Sequence, residues 1–436
     1  MKEKENQPAW TCASGKIIGW TDRKKGVLHA SGIPYAHAKR FSKPLPIKRS
    51  EKTIQATSWA PASPQSDDPF TEQFISELPR KLTTSEHCQN LSITMPIGTQ
   101  PTDHLPVMVW IHGGSYLNGA GDHPIYDPAI LVKEQQVIVV TVTYRLGLLG
   151  YLEPANLGLL DQIEALKWIK MSIQAFGGDP ENITVFGESA GGDAVAHLMI
   201  AEGTEGLFNR AIIQSAPFGL LQNRKEMRKA MREAVKTLSD DADMDTILEK
   251  QREVLEKAKS FGLKSSMAFG VQYGKYPLPD EAETLKAWQK AAQRIDVLIG
   301  SNSREITSFI PLIKSYQKLL AIPLIKESLI RILTHKIYRM GVKQFAKRHA
   351  ESGGRVYQYK VSWGAPGNKF KGGHASEIPF LFEDRTIWEH GPLLEGTDWA
   401  TFHDQGKQLR EIWGNFARDG EVKTQKIENL IQIEQL

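Results

Sequence analysis

Cysteine is scarce in this chain of 436 residues, which contains only Cys12 and Cys88. A chain of this length can bury a substantial core without covalent cross-links, so the sequence excludes a disulfide-stabilised scaffold. We therefore expect two free thiols and a reducing, cytoplasmic compartment. The first eight residues carry charge but no apolar stretch, which predicts that no secretory signal is present.

Long apolar runs and an excess of one charge are also missing. No apolar run reaches membrane-spanning length, and 54 basic residues accompany 50 acidic ones, for a formal net charge of +4. The basic stretch 224–236 is interrupted by acidic residues, as is typical of a solvated helix face. The sequence therefore predicts neither a membrane nor a nucleic-acid partner. It also lacks paired His and Cys at zinc-binding spacings, so we expect no metal and no other cofactor.

The most informative stretch that is present is 182–193. Ile183–Phe186 is apolar and β-branched and predicts a short buried strand, whereas residues 190–200 predict a helix. Between them lies Gly-Glu-Ser-Ala-Gly, centred on Ser189, which is a G-x-S-x-G sequence in the strand–turn–helix setting of a nucleophile elbow. Such a turn strains its central residue and leaves no room for side chains two positions away, which explains the glycines. Ser189 is therefore the candidate nucleophile.

Buried strands and helices alternate through the rest of the chain. Pro106–Ile111 and Val137–Val142 are continuous apolar runs, typical of strands buried on both faces, and apolar residues recur at helical spacing through 156–176. This alternation predicts an α/β fold with a central, mainly parallel, twisted sheet and helices on both faces. Glycine-separated runs within 15–45 predict antiparallel N-terminal strands. Further elements are predicted as a surface loop at 60–70, strands at 210–215, 295–299 and 355–361, and a helix at 401–418.

The sequence contains no internal repeat and no convincing linker, so we predict a single domain over 1–436. Residues 222–259 are predicted to form one long, charged helical stretch, and 312–350 are helical and basic. We expect these segments to build a helical cap or outer layer, at about 222–290 and 310–350.

Serine chemistry also needs an acid and a base. Glu305 follows the strand 295–299 and so lies at the edge where open α/β sheets bind ligands. His374 lies on a glycine-rich loop after the strand 355–361. The order Ser189, Glu305, His374 is the order of nucleophile, acid and base in α/β hydrolases.

An oxyanion site completes this chemistry. The backbone N–H of Ala190, after the nucleophile, and those of Gly113 and Gly114, after the strand 106–111, are the expected donors. His112 is expected to be a structural member of that loop.

Other acids and histidines remain as alternatives. Asp296 begins its strand, at the wrong edge of the sheet, and three acids near a Pro-rich turn are expected to be solvated. These are Asp280, Glu281 and Glu283. The remaining histidines after Glu305 fit surface or satisfied roles better than His374 does. They are His335, His349, His390 and His403.

Eight sequence blocks occur in order along the chain. They are Gly32-Ile-Pro-Tyr-Ala, Trp110-Ile-His-Gly-Gly, Thr143-Tyr-Arg-Leu-Gly, Leu157-Gly-Leu-Leu-Asp-Gln, Phe176-Gly-Gly-Asp-Pro, Phe186-Gly-Glu-Ser-Ala-Gly-Gly, His374-Ala-Ser-Glu-Ile-Pro-Phe and Trp413-Gly-Asn-Phe-Ala. Together they resemble the type-B carboxylesterase and cholinesterase family, and most closely its bacterial para-nitrobenzyl esterase branch. The resemblance implies an α/β-hydrolase fold and ester hydrolysis by Ser189, with Glu305 as acid, His374 as base, and Gly113, Gly114 and Ala190 as oxyanion donors. It also places Glu188 and Ser215 near the acid and base.

The chain departs from the family pattern in its loops. Ser63 stands where relatives have the cysteine that pairs with the one matched by Cys88, so the family's first disulfide cannot form. Ile306 replaces a usual glycine after Glu305. The segments after Ala36 and before His374 are shorter than in relatives, where they help to wall the active site.

These observations predict a serine carboxylesterase acting on small-molecule esters through an acyl-enzyme. Two alternatives remain at this stage. One is a non-catalytic interaction protein on the same fold, and the other is a lipase acting at oil–water interfaces.

Overall fold

A computed structural model describes residues 7–49, 51–78, 80–152, 154–313 and 317–436. The described residues form a sheet of eleven strands, a separate sheet of three and a two-stranded ribbon. We number the strands of the large sheet β1 to β11 in chain order. They are Trp20–Asp22, Val27–Pro34, Asn90–Pro96, Leu105–Ile111, Ile138–Val142, Gly178–Glu188, Arg210–Gln214, Asp296–Asn302, Val356–Val361, Gln425–Ile427 and Ile431–Gln435.

The large sheet is mixed, with a parallel centre. Its spatial order is β10-β11-β9-β8-β7-β6-β4-β5-β3-β2-β1. The six strands from β9 to β5 in this order are all parallel to one another. Antiparallel pairs flank them, with β3, β2 and β1 at one edge and β11 and β10 at the other. The predicted mainly parallel sheet with antiparallel N-terminal strands is confirmed.

Helices cover both faces of this sheet because its central strands are apolar on both sides. Along β4, Val107 and Val109 pack in one buried cluster, whereas Met108 and Trp110 pack in the other. The helices, α1 to α14, are Pro69–Glu72, Ala129–Gln135, Gly147–Tyr151, Leu157–Ser172, Ala190–Leu198, Lys225–Val235, Met244–Lys259, Thr284–Ala292, Gln317–Leu320, Pro323–Thr334, Met340–Glu351, Ile378–Leu381, Arg385–Trp388 and Trp399–Asp419.

The outer helical stretches are more broken than the sequence pattern predicts. The stretch expected to be helical at 222–259 is helical and contains two helices, α6 and α7, and Asp243 caps the second by accepting the N–H of Thr246 at 2.8 Å. The stretch at 312–350 is likewise divided, because Pro323 begins a new helix there. Their role as a cap, and the single domain, stay predictions.

Other differences lie towards the ends of the chain. Gly15–Ile18 pairs with Ala9–Cys12 and Thr53–Gln55 in the three-stranded sheet and does not enter the large sheet. Ala62 and Ser63, expected in a surface loop, are completely buried. Strands β10 and β11, at and next to one edge of the large sheet, were not predicted from the sequence, because both are short and largely polar.

Both cysteines are free thiols in the structure, as predicted. Cys88 is completely buried, and so is Ser63, the residue that replaces its partner in relatives. Burial raises the pKa of the Cys88 thiol to about 12, so it stays protonated and unreactive at neutral pH.

Candidate active site

Strand β6 turns directly into helix α5, and Ser189 is the residue at the turn. Its backbone has φ 58° and ψ −122°, a conformation that L-residues rarely adopt. A Cβ on Gly191 would lie 2.0 Å from the carbonyl oxygen of Ile111, and one on Gly187 would lie 2.6 Å from the same oxygen. The structure therefore confirms the strained turn and the steric need for both glycines.

The loop after β4 packs against this turn. A Cβ on Gly113 would lie 3.2 Å from the Cβ of Ser189, and Gly114 has φ +102°, which favours glycine. Within the described residues, neither glycine amide donates to another backbone group. Ala190 is the first residue of α5, where an amide has no partner inside its own helix. In the described part of the chain, the three amides of Gly113, Gly114 and Ala190 thus lie near Ser189 without a backbone partner.

Glu305 follows the carboxyl end of β8 and is completely buried. Its Oε1 accepts the backbone N–H of Asn302 at 2.6 Å, and its Oε2 lies 2.6 Å from Nδ1 of His374. A carboxylate only accepts, so Nδ1 of His374 carries the proton and Nε2 is left to exchange one. The structure therefore brings Glu305 and His374 together across 69 residues of sequence.

The loop that carries His374 is fastened to the segment after Glu305. The His374 amide donates to the Glu305 carbonyl at 3.1 Å, and the hydroxyl of Ser308 donates to the His374 carbonyl at 3.0 Å. The rings of Phe309 and Tyr338 each lie 5.2 Å from the imidazole. Ile306, in place of glycine, is accommodated as a buried residue in a 3₁₀ helix beginning at Glu305.

The other ring nitrogen of His374 faces a second carboxylate. Nε2 lies 3.1 Å from Oε1 of Glu188, and within the described residues no hydrogen bond joins it to Ser189. Burial alone lowers the pKa of His374, but the charges of Glu188 and Glu305 outweigh it and raise that pKa to about 9. Burial raises the pKa of Glu188 to about 8. Glu188 and His374 therefore titrate as a coupled pair that holds a proton at neutral pH.

Two further polar residues, which were not predicted as site residues, support the contact between Glu305 and His374. Asn302 donates from Nδ2 to Glu377 at 2.6 Å and to the carbonyl of Gly373 at 2.8 Å. Glu377 also accepts from Gln214 at 3.2 Å and is completely buried. Asn302 thus links the acid, through its backbone, to the loop of the base. Glu377 lies in a quoted family block, whereas nothing in the sequence around Asn302 signals its role.

The remaining candidates fall outside this centre. His112 hydrogen-bonds the carbonyl of Gly113 at 2.8 Å and stacks on Tyr144, which fits the structural role predicted for it. Ser215 is completely buried and has φ 49°, and within the described residues its hydroxyl has no hydrogen-bond partner. The structure therefore links Ser215 to neither Glu305 nor His374 by a hydrogen bond.

The alternative acids and bases lie elsewhere. Asp296 begins β8, at the opposite end of that strand from Glu305, and the acids at 280, 281 and 283 are exposed. His349 is satisfied by the carbonyl of Ile295 at 3.0 Å, and His403 lies 2.6 Å from Glu383. His390 is exposed, and His335 lies in a short π-helical turn.

A cavity of about 290 Å³ opens onto the site. Ser189, His374, Glu188, Gly113 and Gly114 line it, together with a set of aromatic rings. The rings belong to Phe70, Phe74, Tyr126, Phe309 and Trp388. A larger cavity of about 390 Å³ lies among the outer helices and contains none of these site residues. The cavity at Ser189 thus combines aromatic rings with polar and charged side chains, as is usual for a small-molecule site.

Among the residues that the structure describes, no helix is long and apolar enough to cross a membrane. No cluster of three or more His, Cys, Asp or Glu side chains there is arranged to hold a metal ion.

Comparison with known proteins identifies the family. The model of the carboxylesterase family matches residues 6–322, which include Ser189 and Glu305 and end before His374. The chain therefore belongs to the carboxylesterase family, with the α/β-hydrolase fold, and it is a carboxylic ester hydrolase. The family and enzyme class predicted from the sequence are confirmed.

Relatives and solved structures extend the match over nearly the whole chain. A probable N-octanoylanthranilate hydrolase, AqdA2, of Rhodococcus erythropolis is 34% identical, and the alignment covers 92% of each chain. The para-nitrobenzyl esterase of Bacillus subtilis is 33% identical over 96% of this chain and 91% of its own. The structure of a thermophilic PNB esterase superposes with a TM-score of 0.80 at 28% identity, covering 99% of this chain and 98% of that one.

Proposed function

We propose that this enzyme hydrolyses its ester substrates through a Ser189–His374–Glu305 triad and a covalent acyl-enzyme. The single observation that carries the proposal is the 2.6 Å contact between His374 and Glu305, which are 69 residues apart in sequence. His374 in turn lines the same cavity as the strained Ser189. Strain of this kind is retained where function requires it. The fold alone would not require a buried carboxylate against an imidazole at this point.

The proposed reaction has two halves. His374 takes the hydroxyl proton of Ser189 through Nε2 as Oγ attacks the carbonyl carbon, and Glu305 stabilises the imidazolium that forms. The tetrahedral oxyanion accepts hydrogen bonds from the amides of Gly113, Gly114 and Ala190. The C–O bond to the alcohol then breaks, and the alcohol leaves with the proton from His374. Water, deprotonated by His374, hydrolyses the acyl-enzyme and regenerates the serine.

In this scheme Glu188 acts as a second carboxylate beside the base. Its Oε1 faces Nε2 of His374, so its charge favours the protonated ring before the substrate binds. For catalysis Nε2 must first give up that proton, to Glu188 or to solvent, and substrate binding must bring Nε2 towards Ser189 Oγ, as catalytic hydrogen bonds often tighten only in the complex. Ser215 keeps no role in this proposal.

The substrate class follows from the cavity. Aromatic side chains line its wall and charged groups cluster at Ser189, so we propose esters whose acyl or alcohol part is apolar. The sequence similarity to a probable N-octanoylanthranilate hydrolase makes N-acylated aromatic amines a second candidate class. Water-insoluble lipid esters, the substrates of a lipase, are a third candidate class. Turnover that rises only once the substrate forms droplets would support it. The cytoplasmic location stays a prediction.

The test combines a burst assay with covalent labelling. Mixing the enzyme with a nitrophenyl ester should release nitrophenol in a burst equal to the enzyme concentration, and an organophosphate should label Ser189 stoichiometrically. Labelling of a different serine, or turnover that survives full labelling of Ser189, would contradict the proposal. A panel of nitrophenyl esters of rising chain length, with N-octanoylanthranilate alongside, would then rank the substrate classes.

A further inference from the structure

The proposed oxyanion site is built from two separate pieces of chain. Gly113 and Gly114 lie on the loop after β4, whereas Ala190 begins α5. Hydrogen-bond donors stabilise an oxyanion only when they converge on one point, and a displacement of about 1 Å can cost roughly 100-fold in rate. What holds the loop at a fixed distance from the helix therefore matters for catalysis.

The loop itself does not adopt a relaxed conformation. Ser115 has φ 55° and Tyr116 has φ 60°, so two consecutive residues with side chains occupy the left-handed region. Such residues persist only where surrounding contacts impose the conformation. The contacts of Tyr116 provide that constraint: its carbonyl accepts the N–H of Gly147 at 2.7 Å, and its ring centroid lies 4.4 Å from that of Tyr151.

The hydroxyl of Tyr116 makes the link to the nucleophile helix. It donates to Oδ2 of Asp193 at 2.6 Å, and both residues are completely buried. Asp193 lies in the first turn of α5, where a negative charge is favoured, and its N–H donates to the carbonyl of Ser189 at 2.9 Å. One short hydrogen bond thus joins the Gly113–Gly114 loop, called the oxyanion loop below, to the turn that carries Ser189.

Asp193 is in turn held from its other side. Nδ1 of His197 lies 2.7 Å from the carbonyl of Asp193, which can only accept, so that nitrogen carries the proton. The same nitrogen lies 3.3 Å from Oδ1 of Asp193, and the hydroxyl of Tyr273 lies 2.8 Å from Nε2. Asp193 is thus held at its Oδ2 by Tyr116 and at its backbone carbonyl by His197, and these buried contacts leave it little freedom to move.

We propose that the Tyr116–Asp193 hydrogen bond sets the position of the Gly113–Gly114 loop relative to Ala190, which makes both residues positioning residues for ester hydrolysis. This inference rests on the proposed function, because it assumes that those three amides bind the oxyanion. Neither side chain lines the cavity at Ser189, so the link acts through the backbone and not by touching the substrate.

The test removes one oxygen atom from this link. Tyr116→Phe should lower kcat for nitrophenyl butyrate by roughly 10- to 100-fold with KM within about twofold. It should weaken inhibition by an alkyl trifluoromethyl ketone, whose adduct with Ser189 carries the same oxyanion, by a similar factor. The matched control is Tyr151→Phe, which removes another buried hydroxyl, one that accepts from Gln162 at 3.3 Å. Tyr151→Phe should leave kcat and the inhibition by the ketone within about twofold of the parent enzyme.

A second variant covers the case in which Tyr116→Phe destabilises the fold by leaving a buried carboxylate without its donor. Tyr116→Phe/Asp193→Ala removes both partners and should show the same loss of kcat and of ketone affinity. Near-normal kcat in either folded variant, or a reduced kcat with unchanged ketone affinity, would overturn the proposal. Organophosphate labelling of Ser189 in the parent enzyme tests the proposed function separately, since its failure would not depend on Tyr116.

Discussion

The two halves of the candidate site are held together in different ways. On the nucleophile side, backbone packs on backbone: Gly191 lies so close to Ile111 that even a methyl group would collide with it. On the base side, hydrogen bonds of side chains hold the residues together. Glu305 and His374 are joined by a 2.6 Å contact, and Glu305 also accepts the backbone N–H of Asn302. The nucleophile side should therefore be sensitive to added volume, and the base side to lost charge or hydrogen bonds.

The largest effect should come from removing the reacting atom. Ser189→Ala should lower kcat by roughly 10⁴-fold or more while the fold is retained, since the hydroxyl is the proposed covalent catalyst. Steady-state turnover of a nitrophenyl ester measures kcat, and the midpoint of thermal unfolding shows whether the fold is retained. Ser172→Ala is the control, because Ser172 is also buried but lies at the end of α4. Substantial activity in Ser189→Ala would remove the basis for comparing the two sides.

Removing charge from the base side should have the next largest effect. Glu305→Gln keeps the shape but removes the charge that stabilises the imidazolium, so kcat should fall by roughly 10² to 10⁴ with KM little changed. Glu305→Asp should retain more activity, limited by its shorter reach. Asp280→Asn, at an exposed acid, serves as the control and should change kcat very little. The assignment of the acid is wrong if the amide substitution is tolerated at Glu305 but not at Asp280.

Adding volume to the nucleophile side should have a smaller but still clear effect. Gly191→Ala should cost about 1–3 kcal/mol of stability and lower kcat roughly 10-fold or more, because its Cβ would push Ile111 and the oxyanion loop away. In the control, Gly203→Ala, the Cβ has nothing within 4 Å, and the positive φ alone costs about 1–2 kcal/mol. Chemical denaturation and kcat should separate the two variants, with activity lost only at Gly191.

The smallest effect should be a shift in pH dependence. Glu188→Gln removes a negative charge that favours the protonated form of His374, so the pKa of the imidazole should fall. Because the neutral ring is the base, the rising limb of kcat/KM against pH should move to lower pH, by about one unit. A profile measured from pH 5 to 10 tests this, and a shift towards higher pH would contradict the role given to Glu188.

The sequence by itself determined the nucleophile side, because its constraints are local. Glycines two positions from Ser189, and the glycine pair after an apolar strand, mark backbone geometry that a short motif can carry. The order of Ser189, Glu305 and His374 along the chain also indicated their proposed roles as nucleophile, acid and base. It allowed the central strands to be located, because continuous apolar runs are needed wherever a sheet is covered on both faces.

Only the tertiary structure decided how the polar groups meet. Glu188 faces His374 across 186 residues, Asn302 ties the acid to the loop of the base, and Tyr116 reaches Asp193, yet none of these contacts follows a periodic pattern. A hydrogen bond depends on distances of tenths of an ångström between segments that meet only in the packed fold. Sequence periodicity reports which side of an element is buried, but not which buried polar groups become partners.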